Sequence, residues 1–267
     1  MRPAESCDAC PYAPTTSSVS RHSRRVFDHV TMRASDREAT ERFYDTVLRP
    51  LGVDKDVSTE EYAEWGDFSL GQATHDKPVT GNLHVGFTAP SRAHVDEFWR
   101  TGTQAGYRDD GPPGPRPQYG EDYYGAFLLD PDGNSAEAVH HGTIGERSLI
   151  DHLWMRVADL GAAKRFYEAV APHAGFLVSG EHLDRVHFAG PRGSFAIVTG
   201  AEPTREVHLA FPAESNEVVD AFHRALTGRG YVDNGAPGER AVYHPGYYGA
   251  FVLDPDGNNV ELVNHNR

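Results

Sequence analysis

The chain has 267 residues, enough for two domains that each bury a core, and no apolar run approaches the roughly 18 residues that span a bilayer. Lys and Arg number 25 against 39 Asp and Glu, and the resulting formal charge of −14 repels phosphate backbones, which argues against a nucleic-acid partner. Two cysteines cannot build a disulfide framework, and residues 1–24 lack the apolar core of a secretory signal, so a cytoplasmic protein without a membrane partner is expected.

In chain order, residues 1–24 read as a polar tail, in which Cys7-x-x-Cys10 is a lone pair without a second pair to complete a zinc site. Apolar alternation over 26–32 predicts a strand. Asp36 is a plausible N-cap for a helix that carries Phe43, Tyr44, Val47 and Leu48 on one face and closes at Gly52. Short strands follow across 62–70, and the order then restarts: strand 82–88, helix 92–105 with Val95, Phe98 and Trp99 at helical spacing, strands 123–129 and 135–140. The Asp130-Pro131-Asp132-Gly133-Asn134 segment joins the last two strands as a hairpin, since Pro presets φ and Gly-Asn accepts positive φ. The Pro/Gly-rich run 111–117 reads as a loop, as does its counterpart 234–240. Helices are expected near 160–171 and 216–227 in the second half.

The chain is written twice. YYGAFLLDPDGNSAEAVHH at 123–141 and YYGAFVLDPDGNNVELVNH at 247–265 share 14 of 19 positions at an offset of 124. Upstream, Phe27-Asp28-His29 answers Ile150-Asp151-His152, and Leu83-His84-Val85 answers Val207-His208-Leu209. Two tandem domains are therefore expected, 25–142 and 148–267, each containing two βαβββ modules, an α+β chain of four modules in all.

Among 15 histidines, two recur at strand centres in each half, followed by a glutamate: His29, His84, Glu137 and then His152, His208, Glu261. Their separations are 55 and 53 in the first half, 56 and 53 in the second. Two neutral imidazoles and one carboxylate on one face of an ion leave positions open for substrate. That donor set suits Fe(II) and also accepts Mn, Ni, Co or Zn. A Glu flanked by Val260 and Leu262 is costly to bury unless it is paired or coordinates a cation.

The βαβββ units, the strand-one Asp-His pair and the ending YHPGYYGAFVLDPDGNNVELVNH resemble the vicinal oxygen chelate superfamily, which includes glyoxalase I, extradiol dioxygenases, and fosfomycin and bleomycin resistance proteins. The resemblance covers about 240 residues. It implies paired modules that curve a sheet into a cup, with strand-borne ligands holding a divalent ion, Fe(II) or Mn(II) by preference. Carried over residue by residue, His29, His84 and Glu137 form one triad, and His152, His208 and Glu261 the other. Two assemblies fit the sequence: each triad closes within its own half, or His29 joins His208 and Glu261 while His152 joins His84 and Glu137. The implied partner is a small molecule, and the chain is a monomer or a homodimer.

The resemblance breaks at definite places. His244, Asp254-Pro255, Gly257 and Glu261 match the extradiol signature, but Phe251 fills its tyrosine slot, and in the first half Gly120 replaces His244. Catalysis is thus expected around His244, Tyr247 and Tyr248. Neither 67–70 nor 194–199 offers the glutamate that glyoxalase I uses as base, which argues against lactoylglutathione lyase activity. The implied function is metal-dependent ring-cleaving oxygenation or isomerisation of a substrate with adjacent oxygens. The alternative is a non-catalytic antibiotic- or natural-product-binding protein whose walls are Tyr123, Tyr124, Tyr247, Tyr248 and Trp154.

Overall fold

The structure is a computed structural model that describes residues 25–142, 148–200 and 202–266. The N-terminal tail with Cys7 and Cys10, and the linker residues 143–147, lie outside the described residues. The first module comprises β1 (His29–Ala34), α1 (Arg37–Leu48), β2 (Val57–Ser58), β3 (Tyr62–Trp65) and β4 (Phe68–Gln72). The second comprises β5 (Leu83–Thr88), α2 (Arg92–Gln104), β6 (Arg108–Pro115), β7 (Tyr124–Leu129) and β8 (Ser135–His140). The third contains β9 (Ile150–Val157), α3 (Leu160–Ala174), β10 (Leu177–Glu181), β11 (Arg185–Ala189) and β12 (Ser194–Thr199). The fourth contains β13 (His208–Pro212), α4 (Asn216–Thr227), β14 (Asp233–Glu239), β15 (Tyr248–Leu253) and β16 (Asn259–Asn264).

Local chemistry starts and stops these elements. Asp36 and Asp159 cap α1 and α3 by accepting from the backbone N–H of Ala39 and Ala162, at 3.0 and 2.9 Å. In the Asp130 turn one carboxylate oxygen accepts from the N–H groups of Asp132 and Asn134 at 2.9 and 2.8 Å. The Asn134 side chain then ties this turn to the start of β5, accepting from Leu83 N–H and donating to Thr80 O. Asp254 and Asn258 repeat the device.

The two mixed sheets do not follow the two halves. Sheet I has the order β14-β15-β16-β13-β1-β4-β3-β2, and sheet II the order β10-β11-β12-β9-β5-β8-β7-β6. Sheet I therefore joins modules one and four, and sheet II modules two and three. The seams are antiparallel: His29 pairs with Ala210 between β1 and β13, and His84 pairs with Trp154 between β5 and β9. The triads carried over half by half, His29 with His84 and Glu137, and His152 with His208 and Glu261, are thus not the groups the strands assemble. Of the two assemblies compatible with the sequence, the structure forms the exchanged one.

Helices cover the inner face of each sheet and meet one another, α1 on α2 and α3 on α4. Between the sheets lies a continuous aromatic core, including Tyr44, Phe68 and Phe87, with Phe68 and Phe87 drawn from different sheets at 5.2 Å. Each cup consequently opens away from this core. The runs expected as loops at 111–117 and 234–240 begin instead as edge strands, β6 and β14. An edge strand leaves half its N–H groups unpaired, so Pro112 and Pro113 forfeit little there, and bulges around Gly111 and Gly235 absorb the irregular register.

Candidate metal centres

Alternation along β1 buries Val30 and Met32 against the helices and turns His29 and Thr31 into cup I. The facing strands add His208 and Glu261. The Nε2 atoms of His29 and His208 are 3.1 Å apart, and Glu261 Oε2 lies 3.0 Å from His208 Nε2 and 3.7 Å from His29 Nε2. Cup II repeats this: His84 Nε2 and His152 Nε2 are 3.2 Å apart, with Glu137 Oε2 at 3.0 and 3.3 Å. Ligand atoms about 2.0–2.2 Å from one ion at near-right angles sit about 3 Å from each other. Both triangles fit an ion bound on one face, with the opposite face open to the cup.

The outer partners orient the same atoms inward. Nδ1 of His29 donates to Asp28 at 2.9 Å and Nδ1 of His152 to Asp151 at 3.0 Å, leaving each Nε2 lone pair toward the centre. Ser135 Oγ is 3.1 Å from His84 Nδ1, and the Asn259 amide 2.7 Å from His208 Nδ1. Tyr247 and Tyr123 each donate the phenol O–H to Oε1 of Glu261 and Glu137 at 2.7 Å, so Oε2 is the oxygen left for an ion. Close approach is built into the neighbouring strand: a Cβ on Gly249 or Gly125 would stand 2.5 or 2.4 Å from that glutamate's Oε1.

Charge complementarity is strong. Burial opposes ionisation of Glu137, but hydrogen bonds from His152 and His84 outweigh it and bring its carboxyl down to about 2. Burial likewise opposes charging of His152, while Asp151 and Glu137 together push it up to about 10. Asp28 and Asp151 lie well below the usual carboxylate range, their imidazole partners overcoming burial. A cluster built around a buried carboxylate with this appetite for positive charge is suited to a divalent cation.

The six expected ligands thus all reach a centre. The residues expected to be catalytic separate. Tyr247 touches Glu261. Tyr248 instead donates to Asp220 on α4 at 2.8 Å, and Tyr124 to Asp96 on α2 at 2.8 Å, because one step along β15 or β7 reverses the face. The structure therefore does not bring Tyr248 or Tyr124 to either triad. His244 reaches cup I only through a chain: its Nε2 is 2.8 Å from His265 Nδ1, His265 Nε2 donates to Asp28 at 2.8 Å, and Asp28 holds His29. In cup II the corresponding chain ends at His141, which donates to Asp151 at 2.9 Å.

Several cup residues escape a search for repeated ligands because they are not repeated. Thr31 and Ser69 line cup I, linked at 2.7 Å, and Glu64 stands opposite Ser69 on β3. At the matching positions cup II has Trp154, Ala196 and His187. Period-two alternation through β3 and β11 is the sequence signal that would have found Glu64 and His187.

A family model for the Glyoxalase/Bleomycin resistance protein/Dioxygenase superfamily matches residues 26–138. Glyoxalase I from Zea mays is similar in structure, with a TM-score of 0.64 at 20% identity over 91% of this chain and 92% of that one. A glyoxalase/bleomycin resistance protein from Albidiferax ferrireducens T118 is 33% identical over 43% of this chain and 97% of its own, with a TM-score of 0.38. The Mn(II)-bound glyoxalase from Novosphingobium aromaticivorans is 17% identical over 91% of this chain and 83% of that one, at a TM-score of 0.40. No curated protein matches the sequence. The chain belongs to the glyoxalase/bleomycin resistance protein/dioxygenase superfamily, as a four-module member whose sheets are exchanged between sequence halves. No helix among the described residues is long and apolar enough to cross a membrane.

Proposed function

We propose that the protein is a metal-dependent enzyme with two centres, His29-His208-Glu261 and His84-His152-Glu137, acting on small substrates that present two adjacent oxygens. The observation that carries this reading is the convergence, in each cup, of two Nε2 atoms and one carboxylate oxygen within 3.0–3.7 Å, with the remaining donor atoms tied outward. Two imidazoles with one carboxylate favour Fe(II) or Mn(II), and accept Zn, Ni or Co. When bound, such an ion supplies Lewis acidity toward the substrate oxygens, which serves ring-cleaving oxygenation or isomerisation. The chain's own residues supply the rest. Asp28 and Asp151 hold the imidazole tautomer, Tyr247 and Tyr123 restrain the glutamates, and the open face of each triad receives substrate.

Metal content tests this directly. Protein prepared without oxygen and reloaded with Fe(II), Mn(II) or Zn(II) is expected to hold two ions per chain by mass spectrometry. Glu261→Gln and Glu137→Gln should each retain one. A wild type that takes up no ion from any of the three sinks the proposal and leaves a binding cup.

A further inference from the structure

Duplication copied the triads but not the walls beside them. Thr31 lies opposite His208 across the seam of sheet I, and Trp154 lies opposite His84 across the seam of sheet II. Cross-strand partners share a face, so each stands next to its centre. In cup I, Thr31 is followed outward by Ser69 and then Glu64, a hydroxyl pair and a half-buried carboxylate, with no aromatic ring among them. In cup II, Trp154 is followed by Ala196, whose small side chain leaves the indole uncrowded, and then by His187. The His187 ring meets Trp154 edge-on at 5.8 Å and Tyr119 approaches it at 6.1 Å, so two rings border one half-buried indole. Electrostatics follow the same division: burial raises the Glu64 carboxyl and lowers the His187 imidazole.

We propose that the two cups take different ligands: cup II a planar aromatic one, stacked on Trp154 with its adjacent oxygens at His84, His152 and Glu137, and cup I a compact, non-aromatic, hydroxylated one. The aromatic quadrupole and the apolar area of the indole reward a second ring. Thr31, Ser69 and Glu64 reward hydroxyl groups and leave an apolar ring facing unsatisfied polar atoms. The location of the bound head group rests on the function proposed above, whereas the stacking on Trp154 does not.

Two hydroxamates with the same oxygen pair, benzohydroxamate and acetohydroxamate, separate the cups. Calorimetry on zinc-loaded full-length Glu261→Gln reads cup II, and on Glu137→Gln reads cup I. The preference for benzohydroxamate over acetohydroxamate should be about tenfold greater in cup II than in cup I, the scale of one aromatic stacking contact. Trp154→Ala, added to Glu261→Gln, should erase that excess, and Thr31→Trp with Ser69→Ala, added to Glu137→Gln, should introduce it into cup I. Equal preferences in the two cups, or a preference unmoved by Trp154→Ala, overturn the division while leaving the metal function intact. A second readout needs no ion: in chelator, 2-naphthol should quench the indole emission of wild type saturably and leave Trp154→Phe unaffected. If zinc fails to load yet that quenching saturates, the metal function falls and the aromatic site stands; quenching that never saturates overturns the aromatic site.

Discussion

Cup I and cup II share their ligand geometry to within a few tenths of an ångström and differ in what surrounds it. In cup I His29 packs beside Ala210, whereas in cup II the matching strand position opposite His152 is Gly86, where a Cβ would stand 2.3 Å from the imidazole. Cup I extends its orienting carboxylate outward through His265 to His244, and cup II stops at His141. The seams between sheets differ too. Val26 N–H reaches the backbone carbonyl of Arg192 at 2.8 Å, but Ile150 N–H reaches a side chain, Asp67 Oδ1, at 3.1 Å. Strand register preserves the centre, because moving a ligand by one residue would turn it to the other face, while wall residues on the same strands are free to diverge.

The largest expected effect tests whether the centres cross the halves at all. With two ions in wild type, His152→Ala combined with Glu137→Gln removes one, since both serve cup II, and His152→Ala combined with Glu261→Gln removes both. Metal counting that gives the opposite pattern restores the half-by-half grouping.

Next comes the packing difference. Gly86→Ala should weaken zinc in cup II by about 10- to 100-fold by displacing His152, the range seen when a ligand's support is lost. The reciprocal Ala210→Gly should leave cup I affinity within about threefold, since it only removes a methyl that His29 already accommodates. Competition titration with a chromophoric chelator reads both. Equal losses would mean that the two imidazoles sit alike in their cups.

A smaller and symmetric effect is expected from the phenols. Tyr123→Phe and Tyr247→Phe each remove one donor from the glutamate's outer oxygen, and each should weaken its own ion by about tenfold. An effect in only one cup would sharpen the comparison, showing that one glutamate relies on its tyrosine and the other does not.

The last effect belongs to the seam and is read in stability, not in metal affinity. Burial pushes the Asp67 carboxyl up to about 6, against the hydrogen bond from Ile150 and the more distant Arg25. A carboxyl with a raised folded-state pKa binds more protons folded than unfolded, so its penalty is absent below about pH 4, grows between 4 and 6, and is complete above 6. Asp67→Asn should therefore flatten that part of the stability profile and raise stability at pH 7 by about 1–3 kcal/mol. The low end applies if the new amide N–H₂ takes the place of Oδ2, which has no hydrogen-bond partner. Denaturant unfolding at pH 4 and pH 7 checks the slope, and an unchanged slope would show that Asp67 does not titrate in this range.

Much of this architecture was legible in the residues. Alternation, caps and the repeated Asp-Pro-Asp-Gly-Asn turn reveal strands and helices because they depend on neighbours a few residues away. The six positions that gather into the two clusters were legible because the repeat prints them twice. Tyr248 misled because it sits one residue from Tyr247 and looks equivalent in sequence, although one step along a strand sends it to Asp220 on the helix side. Glu64 and His187 went unseen because they differ between the copies, and only the register of β3 and β11 shows that they occupy the same place.

By itself, then, the sequence determined the modules, their order and the candidate ligand residues. Tertiary structure decided which donors meet. Backbone ladders at a sheet seam are made by N–H and C=O groups that every module possesses, so β1 can join β5 or β13, which carry the similar runs Leu83-His84-Val85 and Val207-His208-Leu209. The choice falls to the packing of α1 on α2 and α3 on α4 around one aromatic core, which sets modules one and two in different sheets and so sends His29 to the glutamate at position 261 and not to the one at 137.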